Sequence, residues 1–216
     1  MQFNPMSRQS HRDRIHALLL QRIQTGGVGW DDRLVDVALA AEMGVSRMPV
    51  RDALMRLAAE GYLVATTRGF TLPNLSEAEV LEVFELRRLL EPRAAAMAAQ
   101  AMTEDRHAML SDAVAQARGT LESGDVPLFY HASERFRSGW LAAVPNRMLV
   151  DTIQRYLAQV QTVRLTTMRD PVSHAVIVEG QRDLLAAFGR RDAVGAADRM
   201  LRFVIEGEQA FRRARG

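Results

Sequence analysis

The sequence predicts a mainly α protein of two domains: three short helices closed by a β-hairpin over residues 1–73, and an all-α helical bundle over residues 74–216. Three observations carry this expectation. Apolar residues recur at helical spacing along most of the chain, two short β-prone runs flank a tight turn near residues 62–72, and a length of 216 exceeds the ~100–150 residues typical of one domain.

Taken in order, Ile15, Leu18, Leu19 and Ile23 mark a first helix from about Gln9, stopped by Gly26-Gly27. Trp30 to Arg33 reads as a polar connection. Val35 to Met43 reads as a second, short helix ended by Gly44. Ser46 suits the N-cap of a third, with Pro49 in its first turn, where the missing N–H costs no helical bond. Val50, Leu54, Leu57 and Ala58 give that helix one buried face. Tyr62 to Thr66 and Phe70 to Leu72 then read as strands around Thr67-Arg68-Gly69. Together these elements spell a winged helix-turn-helix.

Pro73-Asn74-Leu75-Ser76 reads as the linker, with Ser76 capping a new helix and Glu77 and Glu79 favourable in its first turn. Helical patterns follow over 76–102, 104–123, 125–143, 146–168, 172–189 and 192–214, and Pro92 predicts a kink in the first.

Composition narrows the function classes. With 48% hydrophobic residues the chain can bury real cores. It holds no apolar run near the ~20 residues of a membrane span, and Met1 to Pro5 lacks a signal-peptide layout, so a cytoplasmic protein without a membrane partner is expected. The absence of cysteine removes thiolate metal sites and cysteine nucleophiles. No glycine-rich phosphate loop or convincing acid/base pair argues for an enzyme. All 28 basic residues are arginine and the net charge is only +2, a bias that genome composition explains as readily as nucleic-acid binding. Position therefore has to decide.

Arg47 and Arg51 are four apart and share one helix face, opposite Val50, Leu54 and Leu57. An isolated arginine pair would merely solvate a surface. Here it opens the second helix of a helix-turn-helix, where such side chains reach base edges in the major groove, and Arg is shaped to fork onto guanine or phosphate. Arg68 at the hairpin tip, between Thr67 and Gly69, either reaches a neighbouring groove or forms a plain surface turn.

Leu39-Ala40, the run Met43 to Leu54, Leu57, Glu60-Gly61 and Arg68-Gly69 resemble the GntR family of bacterial regulators over residues 10–73. The resemblance implies operator DNA as partner, with Arg47 and Arg51 in contact, Ser46, Met48 and Arg33 near it, and Thr67, Arg68 and Gly69 assisting. Some members carry a further arginine where this chain has Val37.

Glu85 to Ala96, Phe136, Asn146 and Asp192 to Ala196 resemble, more loosely, the FadR-type branch of that family, whose C-terminal domain is an all-helical bundle of the FCD kind. Many members hold a metal through an Asp and three His, and the metal helps to bind a carboxylate effector. The corresponding positions here are Ser133, Arg137, Gln181 and Phe203, so no metal and no cofactor are expected, and His131 and His174 are expected to be surface or packing residues. Two readings of the pocket stay open. Arg137, with Arg87 where the family has a pocket-facing arginine, holds an anionic effector in place of the metal; or Arg137 pairs with a bundle glutamate and Phe203 fills the space. The family further implies a homodimer, most often a repressor, whose operator binding responds to a small organic acid. The alternative is a dimeric DNA-binding regulator with no effector.

Overall fold

The computed structural model describes residues 11–29 and 31–213; the predicted helix start near Gln9, the first ten residues, Trp30 and the predicted end at 214 lie outside the described residues. The described chain divides into two compact units, one ending at Asn74 and the other beginning at Leu75.

In the first unit, α1 (His11–Gln24), α2 (Asp36–Met43) and α3 (Arg47–Ala59) precede a hairpin of β1 (Val64–Thr66) and β2 (Gly69–Thr71). Ile15, Leu19 and Ile23 of α1 are spaced by four, so they line one face and are buried against Val50, Leu54 and Leu57 of α3. α2 stops because Gly44 takes a left-handed conformation (φ 64°), which lets Val45 N–H return to the Ala40 carbonyl at 3.0 Å. This tight turn sends α3 across α2.

The strands are antiparallel, with Val64 opposite Thr71 and Thr66 opposite Gly69, so Thr67 and Arg68 form the two-residue tip. Leu34, which directly follows the predicted polar connection, exchanges two backbone hydrogen bonds with Phe70, at 2.8 and 2.9 Å, and anchors the hairpin to the helices. Gly69 has a φ of 127°, and a Cβ there would lie 2.8 Å from the Leu34 carbonyl oxygen. Gly69→Ala is therefore expected to cost at least about 1 kcal/mol and to loosen the hairpin; a lower melting midpoint for the first unit would register it, and an unchanged one would refute it.

The second unit holds α4 (Glu77–Gln100), α5 (Glu104–Ser123), α6 (Val126–Leu141), α7 (Arg147–Gln159), α8 (Gln161–Thr167), α9 (Pro171–Gly189) and α10 (Ala193–Arg213). α4 opens with the predicted Ser76 cap, extended to a reciprocal box: the Glu79 carboxylate accepts from Ser76 N–H at 2.7 Å, and Glu79 N–H donates to Ser76 Oγ at 3.3 Å. It runs unbroken through Pro92. Its buried alanines, Ala94, Ala95, Ala98 and Ala99, leave room for close packing against α10, while Phe136, Trp140, Leu184, Phe188 and Met200 fill the centre.

Two expectations are corrected. The predicted helix 146–168 is two helices: backbone torsion at Val160 (ψ 14°) ends α7, and the next residue, Gln161, is buried with its side-chain amide donating to the Tyr130 hydroxyl. Ser46 occupies the N-cap of α3 with an extended backbone, but its exposed hydroxyl makes no capping hydrogen bond.

Candidate functional site

Two places gather the residues singled out in the sequence, one in each unit. The first is a groove between the start of α2, the outer face of α3 and the hairpin, lined by Arg47, Arg51, Thr67, Arg68 and Gly69 together with Asp36. α3 points Arg47 and Arg51 outward because Val50, Leu54 and Leu57 hold its other face in the core. Arg33, Ser46 and Met48 are exposed but do not line the groove, and Val37 is exposed at the start of α2.

Asp36 was not legible as a site residue. Its carboxylate accepts from Arg47 Nε at 2.8 Å and from Val37 N–H at 2.9 Å. The Arg47 hydrogen bond, opposed by burial and helped by the charges of Arg47 and Arg51, holds Asp36 below the usual carboxylate range. With Nε engaged, the two Nη groups of Arg47 form the end-on pair that suits a bidentate acceptor. Thr66 also escaped the sequence reading: its hydroxyl donates to the Gly69 carbonyl at 2.9 Å and accepts from Arg68 N–H at 3.2 Å, which stiffens the tip.

The second place is a cavity of about 90 Å³ inside the helical unit. Its wall brings together Arg87, Ser133, Arg137, Gln181 and Phe203 from α4, α6, α9 and α10. Ser133 and Arg137 are one helical turn apart on α6. The Phe203 ring stands where a side chain at Gly180 would be, with a Cβ there only 2.4 Å from the ring.

Arg87 lines the cavity but is already paired, its Nε donating to Glu91 at 2.7 Å with both side chains under 10% exposed. Tyr156 adds a hydrogen bond to the same Glu91 oxygen at 3.3 Å. Arg164 of α8, absent from the sequence reading, pairs with Glu134 at 2.7 Å. That leaves Arg137 3.8 Å from the same Glu134 oxygen, beyond hydrogen-bonding range. Burial first, then the neighbouring charge of Arg164, push the Arg137 guanidinium down to about 10, so it stays charged at neutral pH. Burial disfavours an ionised Glu134, but Arg164 and Arg137 outweigh it and hold Glu134 below the usual range.

Among the described residues, three buried polar atoms on this wall lack a hydrogen-bond partner: Ser133 Oγ, Arg137 Nη1 and Gln181 Oε1. Such groups are costly unless something polar meets them. A metal does not fit. The four positions supply a hydroxyl, a guanidinium, an amide and a phenyl ring, and a fixed cation among them repels a metal ion. Among the described residues there is no group of three or more His, Asp and Glu able to hold one. His131 is exposed; His174 is buried, stacked on Phe129 at 3.7 Å and hydrogen-bonded to Thr120 at 2.8 Å.

Comparison with known proteins gives a consistent picture. Residues 82–205, more than half the chain, match the FCD domain, and residues 11–72 match the bacterial regulatory proteins of the gntR family. The chain is 30% identical over 136 residues to the Nta operon transcriptional regulator of Aminobacter aminovorans, a stretch covering 62% of this chain and 63% of that protein, less than two thirds of its length. It is 24% identical over 215 residues to the HTH-type transcriptional repressor RspR of Escherichia coli, covering 99% and 93% of the two chains. The structure of E. coli McbR/YncC superposes with a TM-score of 0.82 at 22% identity, over 95% of this chain and 98% of that one, a likeness of fold.

Proposed function

We propose, from the premise that the chain belongs to the GntR family of bacterial regulatory proteins and carries an FCD domain, that it is a transcription regulator in which residues 1–73 read an operator and residues 74–216 dimerise and take a small organic acid. The observation that carries the DNA-reading half is the groove in which Asp36 presents Arg47 beside Arg51 and the Arg68 tip. Three guanidiniums on one exposed surface suit a duplex, two on a helix of major-groove width and one on a wing beside it. Arg33, Ser46 and Met48 flank that contact.

Fluorescence anisotropy with the chain's own upstream DNA and a scrambled duplex tests this reading. A preference for the native duplex, with affinity falling steeply as salt rises, is expected. Equal affinity for both duplexes overturns it. Within that assay Arg68→Ala is expected to weaken all duplexes alike and to lower the salt slope by about one, as the loss of a phosphate contact does.

The unpartnered atoms of Ser133, Arg137 and Gln181 support the effector half. Arg137 is the anchor for the acid and Arg87, bound to Glu91, serves as wall; Phe203 caps the apolar side. Isothermal titration of the protein with a panel of small organic acids is expected to find a binder whose heat disappears in Arg137→Ala. Equal heats for the two proteins refute the anchor. No heat with any acid leaves the chain a dimeric DNA-binding regulator without an effector.

A further inference from the structure

The long helix α4 buries one side against α10 and leaves the other to solvent, and the solvent side is not uniformly polar. Leu86 is 45% exposed and Leu89 67% exposed, although both belong to the most buried class of side chains. They are flanked on the same face by exposed Glu82 and Arg93. The order Glu82, Leu86, Leu89, Arg93 has gaps of four, three and four, the spacing of a seam between two packed helices.

That order is also self-complementary. Glu82 with Arg93, and Leu86 with Leu89, share one midpoint, between Arg87 and Arg88. A second α4 laid antiparallel across this midpoint would set each Leu86 against the other copy's Leu89 and each Glu82 against the other copy's Arg93. A two-fold axis requires such pairing, because the same surface must serve both partners. Exposed Glu85, beside the stripe, adds negative charge at the end that meets Arg93.

We infer that the Glu82-Leu86-Leu89-Arg93 stripe of α4 is the seam of the homodimer, packed antiparallel against its own copy. This rests on the reading of the chain as a dimeric regulator and adds the surface through which the copies meet. The apolar pair excludes water at the centre, and the charge pairs at either end select the antiparallel register over the parallel one, in which Glu82 would face Glu82.

Sedimentation equilibrium of the full chain tests the seam by charge reversal. Glu82→Arg and Arg93→Glu singly set like charges opposite each other twice per dimer, and each is expected to weaken dimerisation by at least about tenfold. The double variant Glu82→Arg/Arg93→Glu is expected to restore it, which a general loss of folding would not do. Leu89→Asp, at an exposed position that the fold tolerates, is expected to give monomers with unchanged helical circular dichroism. Dimers that persist in both single reversals, a double variant no better than the singles, or a wild-type chain monomeric at every concentration overturns the proposal. Anisotropy on the same samples keeps the two readings apart: a dimer broken and rescued in this way that binds no DNA preserves the seam and refutes the DNA-reading function.

Discussion

Arg47→Ala is expected to lower affinity for the cognate operator by about 1–3 kcal/mol, roughly 5- to 150-fold, and to flatten the preference for it over scrambled DNA. The size follows from what the side chain offers. Asp36 holds Nε at 2.8 Å, so on the proposed reading the guanidinium would meet DNA already oriented, with its two Nη groups left for a bidentate acceptor. Alanine removes a bidentate donor, and with it the discrimination between a guanine and a base lacking its paired acceptors. Asp36→Ala should leave the charge of Arg47 in place yet lose part of the discrimination, because the fork is no longer held; Asp36→Glu should recover some of it. A variant Arg47→Ala that binds operator and scrambled DNA in the wild-type ratio would refute the assignment of Arg47 to base reading.

Glu91→Leu is expected to cost about 3–5 kcal/mol of stability in the helical unit. Arg87 is 9% exposed at its side chain and Glu91 4%, so the carboxylate is what compensates a guanidinium removed from water. Removing it strands that cation inside the bundle and takes a hydrogen bond from Tyr156. The double variant Arg87→Leu/Glu91→Leu should recover most of the loss, since two apolar side chains of similar volume replace the pair without an unpartnered charge. Denaturant unfolding of the three proteins measures this. A single variant within about 1 kcal/mol of wild type would show that the pair is solvated more than its burial implies.

The fold was legible where it rests on local signals. Gly44 in its left-handed turn, the Ser76 box and the periodic burial of Ile15, Leu19 and Ile23 follow from residue type and spacing, so the helix-turn-helix and the start of the bundle could be read directly. The break at Val160 could not, because no Gly or Pro marks it and the conformation there accompanies the burial of Gln161 against Tyr130. In the same way, the outward arginines of α3 follow from its apolar stripe, whereas Asp36, eleven residues from Arg47, becomes a partner only when the turn folds α3 over α2. Arg164 and Glu134 show the limit for the cavity: each is an ordinary charged helix residue in the sequence, and only packing of α8 against α6 makes them the pair that leaves Arg137 Nη1 unsatisfied.

The carboxylate of Asp36 has a consequence for how such a protein searches a genome. It places one negative charge in a groove otherwise lined by three guanidiniums, Arg47, Arg51 and Arg68. If Arg47 reads bases as proposed, then wherever the base edges offer it nothing that charge would face phosphate and reduce the number of counterions the protein can release. Residence on unrelated sequence would shorten, and one-dimensional sliding would quicken, while the matched site would be held through the fork that Asp36 orients. On that reading one acidic side chain would both speed departure from wrong DNA and sharpen recognition of the right one.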